Sequence, residues 1–110
     1  MKLPGGDTAI ADHVKLTEYC LNPGHPRGKH KARVFSSVLG ITTDNAELLR
    51  TALLHAAATG DAEAIGSDKF GDRYVIDSMV TGPRGTATVR STWIVRSGES
   101  RPRLTSCFVT

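Results

Sequence analysis

The hydrophobic period of this chain changes once, and that change restricts the folds open to it. Leu49, Ala52, Leu53 and Ala56 recur at i, i+3, i+4 and i+7, the spacing of one face of an α-helix. After residue 68 the apolar residues become β-branched or aromatic and fall in short runs, RYVIDSMV, TATVRSTWIV and PRLTSCFV, which read as three strands. Helices followed by strands, with no internal repeat and no low-complexity linker, predict an α+β fold. With 110 residues, 39% of them hydrophobic, the chain has enough for one modest core. A single domain 1–110 is expected, helical over about 12–60 and a β-meander over about 69–110.

Local signals place the helices. Asp12 is positioned to cap a short helix in HVKLTEYCL, which Asn22-Pro23 ends, because proline bars its preceding residue from helical geometry. A second helix is predicted from about Lys29 to Leu39, after Gly28 and closed by Gly40, with Ala32, Phe35, Val38 and Leu39 as its apolar stripe. Asp44 and Glu47 resemble a capping box opening a third helix that Gly60 stops. The links GPRG and RSGE have hairpin length and composition, so the strands are expected to pair antiparallel. A short extra strand at Thr8 to Ile10 is a further expectation for one edge. Two or three helices packed on one face of a small antiparallel sheet is the predicted architecture, with Phe35, Val38, Leu49, Leu53, Val89 and Leu104 in one core.

The net charge of +3 is too small by itself to specify a partner, but the charges are unevenly placed. From His25 to Arg33 the chain carries Arg27, Lys29, Lys31 and Arg33 with no carboxylate, and from Arg84 to Arg103 it carries five arginines against Glu99 alone. Residues 61–77 hold Asp61, Glu63, Asp68, Asp72 and Asp77 against Lys69 and Arg73. Two basic stretches meeting in the fold would make a positive surface suited to phosphates. No apolar run is long enough to span a bilayer and the N-terminal stretch lacks the pattern of a signal peptide, so a cytoplasmic protein with no membrane association is expected. Cys20 and Cys107 lack CxxC spacing and read as small buried thiols. The four histidines have no metal-ligand spacing, and neither metal nor cofactor is expected.

Several side chains stand out within this frame. Lys31 falls on the stripe of the second helix, either snorkelling to water or reaching across a cleft between helix and sheet, whereas Arg33 points away and reads as surface charge. His25 lies between Pro23 and Pro26, which restrict its backbone. His30 is the other histidine of the basic run. In the second strand Ser91 and Trp93 share one face while Arg90 takes the other. Trp93 reads as a core anchor, the alternative being a cleft floor with Ser91 as a hydroxyl beside it. Tyr74 begins the first strand, as packing or as part of a site.

The stretch LPGGDTAIADHVKLTEYCLNPGHPRGKHKARVF, with FGDRYVIDSMVTGPRGTATVRSTWIV and PRLTSCFV, resembles a family of small bacterial proteins, domain-of-unknown-function family 6883, over nearly the whole chain. The pattern carrying the resemblance is LPxxxxAxI, KLxxYLLNPxHPxGxxKAxxF, YxVxGxxxGPxG and T/SxWIV. It implies a component of a toxin–antitoxin pair with a small cognate antitoxin or immunity protein. The helix-then-sheet order is also similar to the barnase, EndoU, colicin and RelE-like ribonuclease fold, and two short stretches resemble colicin D-type nucleases: His30-Lys31-Ala32-Arg33-Val34-Phe35 and Ser91-Thr92-Trp93. Lys31 stands where that pattern has its histidine.

What this resemblance implies is a metal-independent endoribonuclease acting on tRNA or mRNA by 2′-hydroxyl transesterification. His25 would be its acid or base, Lys31 and Arg90 its phosphate cations, Ser91 an orienting hydroxyl and Trp93 a wall, with Lys29, His30 and Tyr74 as further substrate contacts. The reading of a different class is a non-catalytic nucleic-acid- or partner-binding subunit that uses the same cations.

Overall fold

The helical half begins at Asp12, whose carboxylate accepts the N–H of Val14 at 2.9 Å. Helix α1 spans residues 13–20 in the computed structural model, which describes all 110 residues. Its last turn, Leu16–Cys20, widens to an i→i+5 bond from Leu21 N–H to the Leu16 carbonyl (2.8 Å). Helix α2, residues 29–39, does the same over Phe35–Leu39 and closes on Gly40 at φ +70°, a left-handed cap that suits glycine. The wide turn changes which residues face inward. A widened turn advances less per residue, so Leu39 returns over Phe35 and Val38 is carried aside. Accordingly Ala32, Phe35 and Leu39 are buried, while Val38, which the sequence predicts to be in the core, is exposed.

Helix α3, Ala46–Thr59, buries Leu49, Leu53, Ala56 and Ala57 and stops at Gly60, in line with the periodicity. Its capping box forms two residues earlier than the Asp44–Glu47 pair suggests. Thr42 Oγ1 accepts the Asp44 N–H, Asn45 Oδ1 accepts the Thr42 N–H at 2.7 Å, and a 3₁₀ turn Thr43–Asn45 leads into the helix. The hydroxyl wins because a cap needs a short acceptor at the last non-helical residue, and Thr42 is the extended one.

The sheet has four strands, not three: β1 Ala62–Asp68, β2 Gly71–Gly82, β3 Gly85–Arg96 and β4 Arg103–Val109, an antiparallel meander in the order β1-β2-β3-β4. β1 lies within residues the sequence reading leaves outside the sheet. It is an edge strand of sequence AEAIGSD, exposed after Ala62 and bulged between Ala64 and Gly66, so no alternating apolar pattern marks it. The extra strand expected at Thr8 to Ile10 reduces to one bridge, Ile10 beside Arg103. A two-residue turn, Pro83-Arg84, joins β2 to β3.

All three helices cover one face of the sheet, and a single core holds Leu16, Phe35, Leu39, Leu49, Leu53, Tyr74, Ile76, Val89, Trp93 and Leu104. The other face has no covering layer and carries Arg90, which forms a two-pronged ion pair with Asp77 at 2.8 and 2.9 Å. None of the helices is long and apolar enough to cross a membrane. The inward and outward positions of α2 make a direct check. Phe35→Ala should cost about 3 to 5 kcal/mol in chemical denaturation, whereas Val38→Ala should stay within about 0.5 kcal/mol of wild type.

Candidate functional site

The basic run NPGHPRGKHKARVF folds around His25. Its Nδ1 accepts the backbone N–H groups of Arg27 and Gly28, each at 3.0 Å, and its carbonyl accepts the Lys29 N–H at 3.0 Å. His25 therefore caps the turn of residues 26–28 that leads into α2. Helix α2 starts at Lys29 after Gly28, as the sequence predicts, while the capping part played by His25 was not singled out there. Because the Nδ1 lone pair is taken by two donors, the geometry assigns the hydrogen of the neutral ring to Nε2. The imidazole is held as a donor. The ring of Tyr19 stands edge-on to it, with centroids 4.7 Å apart.

These residues form one wall of an open cleft of about 540 Å³ between α1, the capping loop and β4, lined by Lys15, Tyr19, His25, Arg27, Thr105 and Ser106. No carboxylate lines it. Lys15 Nζ lies 3.4 Å from the Thr105 carbonyl oxygen. The Ser106 hydroxyl is buried with no protein partner. Lys31 is half-buried, its ammonium 5.9 Å from the centre of the Tyr19 ring and 5.1 Å from that of Phe108. Ring faces attract a cation, and the two together hold Lys31 beside the cleft. Beneath it, Cys20 and Cys107 are buried and adjacent. The hydrogen bond with Cys107 draws the Cys20 thiol down to about 7 against the effect of burial, helped by Lys15 and Lys31. The same bond and burial push Cys107 up.

The structure separates the other sequence candidates from this cleft. Lys29 and His30 are exposed on α2. Ser91 is fully buried, where its oxygen accepts the Trp93 indole N–H at 2.9 Å and donates to the Ile76 carbonyl at 3.3 Å. Trp93 is likewise fully buried and Tyr74 is in the core, so neither ring offers a stacking surface. Arg90 is on the uncovered face, its guanidinium committed to Asp77, whose carboxyl is held below the usual range by that hydrogen bond. Lys15, Tyr19 and Ser106 were not singled out in the sequence. Lys15 and Tyr19 are four apart on α1, a spacing that puts both on one face. No three His, Cys, Asp or Glu side chains converge as a metal site would require.

The chain belongs to the family described as a domain of unknown function, DUF6883, whose model matches residues 2–110. None of the curated proteins compared with it matches. Among solved structures it is similar to a chain of a contact-dependent growth inhibition toxin–immunity protein complex from Klebsiella pneumoniae 342. The TM-score is 0.72 over 96% of this chain and 97% of that one, at 16% sequence identity, a likeness of fold.

Ser91→Ala separates packing from chemistry at that position. It leaves the buried indole N–H without its acceptor and should lower stability by about 1 to 3 kcal/mol, read as a fall in Tm.

Proposed function

We propose that this protein is a toxin-type, metal-independent endoribonuclease that cleaves RNA by 2′-hydroxyl transesterification and is held in check by a cognate immunity protein. The observation that carries the reading is the cleft of cations without a carboxylate, in which an imidazole is held as a hydrogen-bond donor. The fold it shares with a chain of a toxin–immunity complex supports the toxin role and the protein partner.

The assigned tautomer changes the part given to His25. To accept a proton at Nε2, the ring would need its other hydrogen on Nδ1, facing two N–H groups. In this reading His25 acts as a neutral donor to a non-bridging phosphate oxygen, an electrostatic contribution rather than proton transfer. Lys15, Arg27 and Lys31 supply positive charge for the pentacoordinate phosphorus. The 2′-oxygen attacks, its proton leaves to water, the P–O5′ bond breaks, and the Lys31 ammonium protonates the departing O5′. The products are a 2′,3′-cyclic phosphate and a 5′-hydroxyl.

A second reading, a non-catalytic subunit that binds nucleic acid or an acidic protein, is favoured by the same capping bonds, since they leave the cleft without an evident base.

The experiment is cleavage of a mixed cellular RNA with product-end analysis, with and without chelator. Alanine at position 25 would remove the cap as well as Nε2, so the useful variant is His25→Asn, whose side-chain oxygen replaces Nδ1 as acceptor and carries nothing at Nε2. Cleavage should persist in chelator, His25→Asn should keep its Tm yet slow by about a hundred- to a thousand-fold, and Lys31→Ala should slow cleavage and weaken binding. Chelator-sensitive cutting would overturn this mechanism. RNA bound but left intact would favour the second reading.

A further inference from the structure

A second cleft, of about 490 Å³, opens on the other side of the capping loop, between α2, the turn before α3 and the β2–β3 hairpin. Two arginines, Arg33 and Arg84, line it together with the hydroxyl residues Ser36, Ser37, Thr42 and Thr43. The sequence reading takes Arg33 for surface charge, and Arg84 lies 51 positions away, so nothing in the linear order joins them. Neither forms an ion pair. The hairpin tip is docked on the end of α2: the Arg84 N–H donates to the Leu39 carbonyl at 3.0 Å, and a Cβ at Gly40 would stand 2.7 Å from Arg84 Cγ. Arg84 thus owes its position to the close packing of its stem over Gly40.

We infer that this cleft is a phosphate subsite for a polynucleotide strand, engaged by Arg33 and Arg84 while the adjoining cleft at His25 holds the reacting phosphate. Guanidinium groups recognise phosphate oxygens two at a time; with Ser37 donating to the Val34 carbonyl and Thr42 serving the cap, the hydroxyls of Ser36 and Thr43 extend the donor set, a combination suited to a phosphodiester. The space exceeds a single phosphate, and Leu21, Pro23 and Ala32 provide a small apolar wall for a sugar or base. The two clefts share the 21–28 loop as a ridge: Leu21 and Pro23 face one, His25 and Arg27 the other. A strand crossing that ridge meets cations on both sides. One carboxylate, Asp44, lines the second cleft and opposes an anion there.

The inference rests on RNA as the ligand of the first cleft, so binding and cleavage are measured separately. The probe is a fluorescently labelled single-stranded RNA in anisotropy titrations over a salt series, with single-turnover cleavage at saturating protein beside it. Arg33→Ala and Arg84→Ala should each weaken binding by about tenfold or more, as expected for loss of a charge-assisted pair. The double variant should flatten the log–log salt slope by about 0.7 per phosphate released. Asp44→Asn should tighten binding, an opposite sign that loss of folding cannot imitate. Saturated cleavage rates and Tm should stay near wild type, since all three side chains are exposed. An RNA affinity indifferent to all three changes, with cleavage intact, would overturn the subsite and leave the nuclease standing. Arginine-dependent binding without cleavage would support the subsite and remove the nuclease. Wild-type protein with no affinity for RNA would overturn both.

Discussion

A fully buried indole has a single polar atom to satisfy, and the centre of this fold depends on how Trp93 satisfies it. Its N–H reaches Ser91, two residues back on β3 and on the same face, and Ser91 passes the demand on to the Ile76 carbonyl of β2. That relay satisfies the one polar atom of the largest side chain of the core from within the sheet. Phe35 and Leu39 of α2 and Leu49 and Leu53 of α3 belong to the same core. The helices can therefore hold β4 and the hairpin tip at fixed positions, and both clefts are built against those two elements.

The stretch NPGHPRGKHKARVF, with so many cations and no acid, turns out to serve two surfaces at once. Its loop is organised from within, by an imidazole that replaces the usual short capping side chain. Its helix then distributes charge around its circumference: Lys31 toward Tyr19 and Phe108, Arg33 toward Arg84. A net charge of +3 conceals this, because Glu63, Asp68, Asp72 and Asp77 lie on β1 and β2, at the far edge of the sheet.

Most of the architecture was legible in the chain. The 3.6-residue stripe of α3, the Asp12 cap, the glycine stops and the β-branched runs are local signals, and each found its counterpart. What was hidden depends on contacts between distant residues or on departures from regular geometry. Val38 fits an ideal helical stripe and leaves the core only because the last turn of α2 widens. β1 pairs through its backbone, with little side-chain pattern to show it. At the site, His25 and Lys31 were visible by residue type, but the occupied Nδ1 was not. The burial of Ser91 and the meeting of Arg33 with Arg84 follow from which sheet face the helices cover and where the hairpin lands, and neither is encoded by spacing.

β1 has a further consequence, for behaviour at high concentration. An unpaired strand edge invites a neighbouring molecule to continue the sheet. Here that edge is interrupted by the bulge at Gly66 and flanked or occupied by Asp61, Glu63 and Asp68, so a second copy would have to match a kinked backbone and face like charge. The irregularity that concealed the strand in the sequence also guards the protein against polymerising through it.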